Sequence, residues 1–128
     1  YACYPLYLEA HLMAANECLF CKIVLGDVPA DIVHEDDQVL AFRDINPRAP
    51  IHILIIPKQH LESLASVADE NRDLMGHMML TTKKIATDEG LSQSGYRTVI
   101  NIGADGGQTV NHLHLHLLGG RALRWPPG

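Results

Sequence analysis

The chain has 128 residues, of which 47% are hydrophobic, and a formal net charge of −5 with its histidines neutral. This length and composition predict one globular domain with one packed core. The ten basic residues are scattered, and no segment has the roughly 18 uninterrupted apolar residues of a membrane span, so we expect neither a nucleic-acid nor a membrane partner.

The chain begins with YACYPLYLEAHL, which matches neither a strand nor a helix pattern. We predict that residues 1–12 are a disordered or artificially added extension and that residues 13–128 form a single domain; an ordered arm is the alternative. The N-terminal residues lack the layout of a secretory signal, and three cysteines do not form a paired disulfide framework. We therefore expect a cytoplasmic protein.

A short helix is predicted after Asn16, a favourable N-cap, and it should end at Leu25 before Gly26. Strands are predicted over residues 31–35, 38–44 and 51–57, and two more over 96–102 and 112–118. A long helix should occupy about residues 66–89. Its apolar face is predicted to contain Leu74, Met75, Met78, Met79, Thr82, Ile85 and Ala86. Two helices with mostly hairpin-linked strands predict an α+β fold with an antiparallel five-stranded sheet.

The segment HLHLHLLGG at residues 112–120 is the strongest functional signal. Side chains alternate between the two faces of a strand, so His112, His114 and His116 should share one face, opposite three leucines. A neutral imidazole can attack phosphorus and depart in a second step. A metal-binding or solvated histidine face is the alternative interpretation.

The preceding segment, residues 105–109, reads DGGQT. Its two glycines allow backbone N–H groups to approach an anion closely, and Gln108 and Thr109 add side-chain donors. Alone this would be an ordinary turn. Directly before three histidines it predicts a phosphate-binding turn.

These residues resemble the histidine triad family, whose signature is three histidines alternating with apolar residues. The similarity continues through LFCKIVLGDVPADIVHEDDQVLAFRDINPRAPIHILIIPKQH and YRTVINIGADGGQTVNHLHLHLLGGRALRWPPG. Its closing Gly-Gly-Arg through Trp-Pro-Pro-Gly resembles the nucleotide-binding branch. The resemblance implies that His114 attacks the α-phosphorus of a purine nucleotide and that water then releases the nucleoside monophosphate.

The resemblance also implies roles for other residues around the nucleotide. His116 and Thr109 would contact the phosphate and leaving group, and His52 would support the triad by hydrogen bonding. His112, the first triad histidine, would contribute to positioning. Asp44 would bind the ribose hydroxyls. The remaining nucleotide-binding positions would be Phe20, Ile23, Phe42, Ile45, Asn101, Gly107, Gln108 and Trp125. Without the family, Phe42 and Ile45 would be interpreted as ordinary core residues.

Branch members form two-fold homodimers whose sheets join across the interface. By resemblance we expect a homodimer in which Trp125 reaches towards the partner's pocket. An exposed indole in a proline-rich tail is compatible with such a contact.

Cys18 and Cys21 have the spacing of half a tetrahedral zinc site. Some histidine triad proteins complete it with two histidines, which correspond to His60 and His112. The resemblance therefore implies a possible structural zinc, while the chemistry itself requires no cofactor. The alternative is that both cysteines are reduced packing residues; a redox pair is disfavoured by the absence of a βαβ context.

Three functions remain to be compared. The favoured one is hydrolysis of P–N bonds in purine nucleoside 5′-phosphoramidates, such as AMP-NH₂ or AMP–lysine. A dinucleoside polyphosphate hydrolase is the second, although that branch usually lacks the Trp-Pro-Pro-Gly ending. The third is a non-enzymatic nucleotide-binding protein, which would not need a histidine at position 114.

Overall fold

The computed structural model of the protein describes residues 18–128. The predicted extension over residues 1–12 and the predicted N-cap at Asn16 therefore lie outside the described residues. Within this part of the chain, no helix is both long and apolar enough to cross a membrane.

The first helix, α1, spans Leu19–Leu25. Its N-cap is Cys18, whose Sγ accepts a hydrogen bond from the backbone N–H of Cys21 at 3.3 Å. Gly26 ends the helix in the left-handed conformation at a φ of 83°, which glycine adopts without steric cost. The predicted end of this helix is thus confirmed.

Five strands form one antiparallel sheet in the order β1-β2-β3-β5-β4. The strands are β1 Ile32–Glu35, β2 Val39–Arg43, β3 Ile51–Pro57, β4 Tyr96–Val99 and β5 Leu115–Gly119. With one short and one long helix, this confirms the predicted α+β fold. It leaves β1 and β4 as the two edge strands.

Successive residues of the central strands enter two separate apolar clusters. Ile53 and Ile55 of β3 pack with the long helix, whereas Leu54 and Ile56 pack with residues of α1. Because side chains alternate along a strand, the two helices must cover opposite faces of the sheet. The face of α1 is the one that carries the histidines.

The long helix, α2, spans Arg72–Asp88, so the prediction that it begins near residue 66 was wrong. Two 3₁₀ turns, Leu64–Ser66 and Asp69–Asn71, precede it instead. In the second turn the Asn71 side chain accepts a hydrogen bond from the Ala68 N–H at 3.1 Å. Such local side-chain bonds offer the backbone an alternative to the helix.

The buried face of α2 is also rotated slightly from the predicted one. Met79 is 51% exposed, while Thr81 is buried at 5%. The Thr82 hydroxyl donates to the Met78 carbonyl at 2.8 Å, which allows a threonine to face the core. The prediction that Met79 packs in the core was therefore wrong.

The last two strands are shorter than predicted. β4 ends at Val99 rather than residue 102, and β5 begins at Leu115 rather than residue 112. The two strands pair only between Tyr96 opposite Gly119 and Val99 opposite His116. The intervening chain leaves the sheet, and the Leu113 N–H donates to the Leu61 carbonyl at 2.6 Å.

Candidate active site

The histidine segment keeps its alternation although its first residues precede β5. Leu113, Leu115 and Leu117 are buried in the cluster that includes α2. His112 and His114 point to the opposite side, where both rings contact Phe20 of α1 edge-on. These two histidines are buried, at 0% and 5% exposure, so this face is enclosed rather than solvated.

The protonation of His114 follows from its single hydrogen bond. Its Nδ1 lies 2.7 Å from the backbone carbonyl of His112, and a carbonyl oxygen can only accept. In the neutral ring Nδ1 therefore carries the proton, and Nε2 keeps an unshared electron pair. Phe20 holds the ring edge-on, with centroids 5.1 Å apart and an interplanar angle of 88°. His114 is thus oriented as a nucleophile.

A chain of hydrogen bonds determines which ring nitrogen carries the proton in His52 and in His116. The Arg48 N–H donates to Nδ1 of His52 at 3.0 Å, so a neutral His52 carries its proton on Nε2. This Nε2–H is 2.9 Å from Nδ1 of His116, which must accept it. His116 then carries its proton on Nε2, a buried atom without a hydrogen-bond partner among the described residues. A buried, unsatisfied donor at this position is suited to a bound ligand.

Burial keeps these two histidines neutral. Together with the smaller effects of the His114 and His52 rings, it lowers the pKa of His116 to about 4, against the opposing charge of Asp44. Burial also lowers the pKa of His52, with Asp44 again opposing and Arg48 assisting. Desolvation disfavours the charged imidazolium, so the tautomers derived above apply at neutral pH.

The carboxylate of Asp44 lies next to the hydrogen-bonded pair of His52 and His116. Its Oδ1 accepts a hydrogen bond from the Asn46 N–H at 2.8 Å, and its Oδ2 lies 3.4 Å from Nε2 of His52. The His52 proton is therefore shared unequally, and the shorter contact to His116 dominates. This leaves acceptor capacity on Oδ2 for a ligand.

A cavity of about 320 Å³ opens in front of His114 and His116. Eight of the residues predicted to bind the nucleotide or act in catalysis line it: Phe20, Ile23, Phe42, Asp44, Ile45, Thr109, His114 and His116. Phe20 and Phe42 meet edge-on, with centroids 5.5 Å apart. The cavity therefore joins an apolar end to a histidine-lined end.

Sequence reasoning missed several residues that line this cavity. Val28, Pro29 and Ala30 follow α1, and Leu54 follows His52 by two residues on β3. The signal for Leu54 was the alternation along β3, which puts it on the same face as His52. The apolar run after Gly26 was the signal for the other three.

Four predicted nucleotide-binding residues do not line this cavity: Asn101, Gly107, Gln108 and Trp125. The Gln108 side chain is fully hydrogen-bonded to backbone groups of its own loop and of the loop that contains Glu62. Its Nε2 donates to the carbonyls of Glu62 at 2.7 Å and Val110 at 3.0 Å, and its Oε1 accepts from Gly103. Trp125 is 80% exposed. In this structure Gln108 shapes the turn rather than presenting free donors.

The four residues of the predicted metal site meet behind the triad. Nδ1 of His112 lies 3.3 Å from Sγ of Cys18 and 3.5 Å from Sγ of Cys21. Nδ1 of His60 lies 3.2 Å from both Sγ of Cys21 and Nδ1 of His112. The potential ligand atoms of all four residues fall within 4.8 Å of one another.

The donor set fits a metal ion. Nε2 of His112 lies 2.8 Å from the carbonyl of Pro57, so Nε2 carries the proton and Nδ1 offers its electron pair towards the sulfurs. Burial raises the pKa of Cys21 to about 12, and the hydrogen bond with Cys18 and the charge of that thiolate contribute to the rise. Two sulfurs and two imidazole nitrogens are the ligands of tetrahedral zinc sites.

Comparison with known proteins agrees with this architecture. The HIT domain family matches residues 26–123. An uncharacterized HIT-like protein of Synechococcus elongatus is 58% identical over 114 residues, which is 89% of this chain and 99% of the relative.

Solved structures show the same similarity. A HIT family hydrolase from Legionella pneumophila superposes with a TM-score of 0.87 at 54% identity, covering 88% of this chain and all of the other. A histidine triad nucleotide-binding protein from Candida albicans superposes at 0.75 with 32% identity, covering 86% and 83%. With its alternating histidines on the enclosed face of a five-stranded sheet, the chain belongs to the HIT family.

Proposed function

We propose that this protein hydrolyses the P–N bond of purine nucleoside 5′-phosphoramidates, such as AMP-NH₂ or AMP–lysine, through a nucleotidyl-histidine on His114. The observation that carries the proposal is the hydrogen bond from Nδ1 of His114 to the His112 carbonyl, which leaves Nε2 free beside the cavity. The Legionella relative described as a hydrolase and the Candida relative described as nucleotide-binding support the general class.

The shape of the cavity supports a nucleotide as substrate. The edge-on pair of Phe20 and Phe42, with Ile23 beside it, offers apolar walls for a purine base. Asp44 offers a carboxylate oxygen to the ribose hydroxyls. Thr109 lines the same cavity as His114 and His116, and its hydroxyl can donate to the phosphate.

In the first displacement Nε2 of His114 attacks the α-phosphorus, and the P–N bond breaks. The leaving nitrogen takes one proton from solvent and departs as a neutral amine. The buried Nε2–H of His116, which has no partner among the described residues, donates a hydrogen bond to a phosphoryl oxygen and keeps its proton. The His114 ring carries one positive charge in the intermediate because it keeps its Nδ1 proton. His52 orients the His116 ring through its Nε2–H.

In the second displacement a water molecule attacks the phosphorus and the bond to His114 breaks. The attacking water loses one proton to solvent, which balances the proton taken up in the first step, and its hydroxyl stays on the nucleoside monophosphate. His114 departs as a neutral ring with its proton still on Nδ1. No cofactor takes part in either step.

Turnover of matched substrates tests the proposal. A fluorogenic adenosine phosphoramidate should be hydrolysed with a higher kcat/KM than diadenosine polyphosphates when both are assayed over the same range of concentrations. A preference for the polyphosphates would favour the dinucleoside polyphosphate hydrolase. AMP binding without turnover of either substrate would favour the non-enzymatic binding protein and reject the enzyme.

We propose that the cluster of Cys18, Cys21, His60 and His112 holds a structural zinc. Its enclosed donor set and the Pro57 carbonyl that orients His112 support this assignment. The purified protein expressed with zinc supplied should carry close to one zinc per chain. Metal analysis well below that ratio would contradict the assignment.

We also propose a homodimer in which the sheets join. β4 is an edge strand of the sheet, and its residue Tyr96 is 40% exposed. The unpaired backbone groups of an edge strand can pair with a strand of another chain. The exposed Trp125 supplies further apolar surface for a partner. Sedimentation at micromolar concentration should give twice the chain mass of 14.1 kDa, and a monomer alone would contradict it.

A further inference from the structure

His112 belongs to two groups of residues at once. Its ring lies in the cluster with Cys18, Cys21 and His60, and its backbone carbonyl accepts the Nδ1 proton of His114. The atom that selects the tautomer of His114 is therefore carried by a residue whose side chain faces the possible metal ligands. Only a few covalent bonds separate the His112 ring from this carbonyl.

The short helix α1 makes a second connection between the cluster and His114. Cys18 caps the helix and Cys21 lies one turn later, so the two cysteines flank Phe20 in the sequence of this short helix. The Phe20 ring contacts His112 at a centroid distance of 6.0 Å and His114 at 5.1 Å. A ligand that draws the two sulfurs together would thus also set the position of this ring.

The backbone around His114 depends on such contacts because the sheet does not hold it. β5 begins at Leu115, so His112, Leu113 and His114 precede the regular ladder. The Leu113 N–H bonds instead to the carbonyl of Leu61, the residue next to His60. The segment that carries the nucleophile is therefore held by the loop of residues 60–61 and by the cluster.

We infer that zinc in the cluster of Cys18, Cys21, His60 and His112 positions His114 for attack without touching the substrate. Cys18, Cys21 and His60 are on this view positioning residues, and they act through the His112 carbonyl and the Phe20 ring. Loss of the metal leaves the His112 ring its bond to the Pro57 carbonyl but removes its link to the other three ligands. The bond from Nδ1 of His114 then lengthens, and the other tautomer of His114 becomes accessible. The inference rests on the proposed function of His114 and adds a metal dependence to it.

The variants Cys18→Ser and His60→Asn test this directly. The serine hydroxyl can still cap α1, so Cys18→Ser removes a sulfur ligand while preserving the helix. His77→Asn is the matched control for His60→Asn, because His77 bonds Asp36 at 2.8 Å and takes no part in the cluster. Each protein is loaded with zinc chloride and then treated with a chelator.

Nitrogen-15 spectra of the imidazole rings report the tautomer of His114 independently of activity. In the zinc-loaded wild type they should show a proton on Nδ1 and none on Nε2. Both cluster variants, and the chelated wild type, should show mixed tautomers and lose about tenfold to a hundredfold in kcat, as expected for a slightly misplaced reacting group. AMP affinity should change by less than about threefold, and His77→Asn should behave as wild type.

The inference is overturned if the wild type binds no zinc, or if zinc removal leaves both kcat and the His114 spectrum unchanged. Failure of the proposed function has a different signature. If no phosphoramidate is turned over while the His114 tautomer still follows zinc, the enzymatic assignment fails and the positioning by the cluster stands.

Discussion

Replacing His114 by asparagine isolates its role as nucleophile. The asparagine side-chain nitrogen can occupy a place near that of Nδ1 and donate to the His112 carbonyl, but it offers no atom at the place of Nε2. The retained hydrogen bond is worth about 1 kcal/mol, so the free energy of unfolding should fall by only about 1–2 kcal/mol. The loss of the nucleophile should cost more than about 4 kcal/mol of transition-state stabilisation, roughly a thousandfold in kcat/KM.

The assay combines three measurements on His114→Asn. Phosphoramidate turnover measures the rate, urea unfolding measures stability, and calorimetry measures AMP affinity, which should stay close to wild type. Rapid quenching should trap a nucleotidyl-protein in the wild type and none in the variant. His77→Asn, the same substitution at a residue bonded to Asp36, serves as the control.

The mechanism would be refuted if His114→Asn kept more than a tenth of the wild-type kcat/KM. Such a loss corresponds to less than about 1.4 kcal/mol, far too little for a group that forms the covalent intermediate. Trapping of a nucleotidyl adduct on the variant would refute it equally.

Three further predictions follow from the site. Asp44→Ala should weaken AMP binding by about tenfold to a hundredfold, because charged hydrogen bonds contribute roughly 1.5–3 kcal/mol. An unchanged AMP affinity in calorimetry would show that the ribose binds elsewhere. Because the pKa of His116 is lowered to about 4, the unfolded chain binds more protons below pH 6.5, so stability should fall as the pH drops from 6.5 towards 4. In urea unfolding, His116→Gln should reduce the fall in the free energy of unfolding between pH 6.5 and pH 4 by at most about 3 kcal/mol. An unchanged pH dependence would contradict a neutral His116 in the folded protein. Gly106→Ala should destabilise the protein by about 1–3 kcal/mol, since a Cβ would lie 2.8 Å from the backbone nitrogen of Ile102; a change under about 0.5 kcal/mol in the same assay would show that the turn relaxes.

Local pattern was sufficient to predict the framework of the site. β3 was predicted over residues 51–57 and spans Ile51–Pro57, because a run of β-branched residues ending in proline has few other solutions. The placement of the histidines opposite three leucines required only the period of two along extended chain, which persists even before β5 begins.

Predictions failed where a neighbouring side chain or a distant strand competed with the local pattern. Residues 66–71 were predicted to begin the long helix, but the Asn71 side chain bonds the Ala68 N–H and holds the chain in a 3₁₀ turn. β5 could not be delimited either, because its first residue, Leu115, is set by where pairing with β3 begins. The spacing of apolar residues along the sequence does not reveal such competition between hydrogen bonds.

The sequence by itself determined that the histidines share one face of the chain, through the alternation of the triad, and its resemblance to the HIT family indicated the four possible metal ligands. Only the tertiary structure decided how these groups are protonated and connected. Sheet register brings His52 to His116 across 64 residues, and the Arg48 N–H then selects the tautomers of both. Folding likewise brings Cys18 to His112 across 94 residues. Hydrogen-bond direction depends on atoms from separate strands and loops, so no local pattern in the chain can encode it.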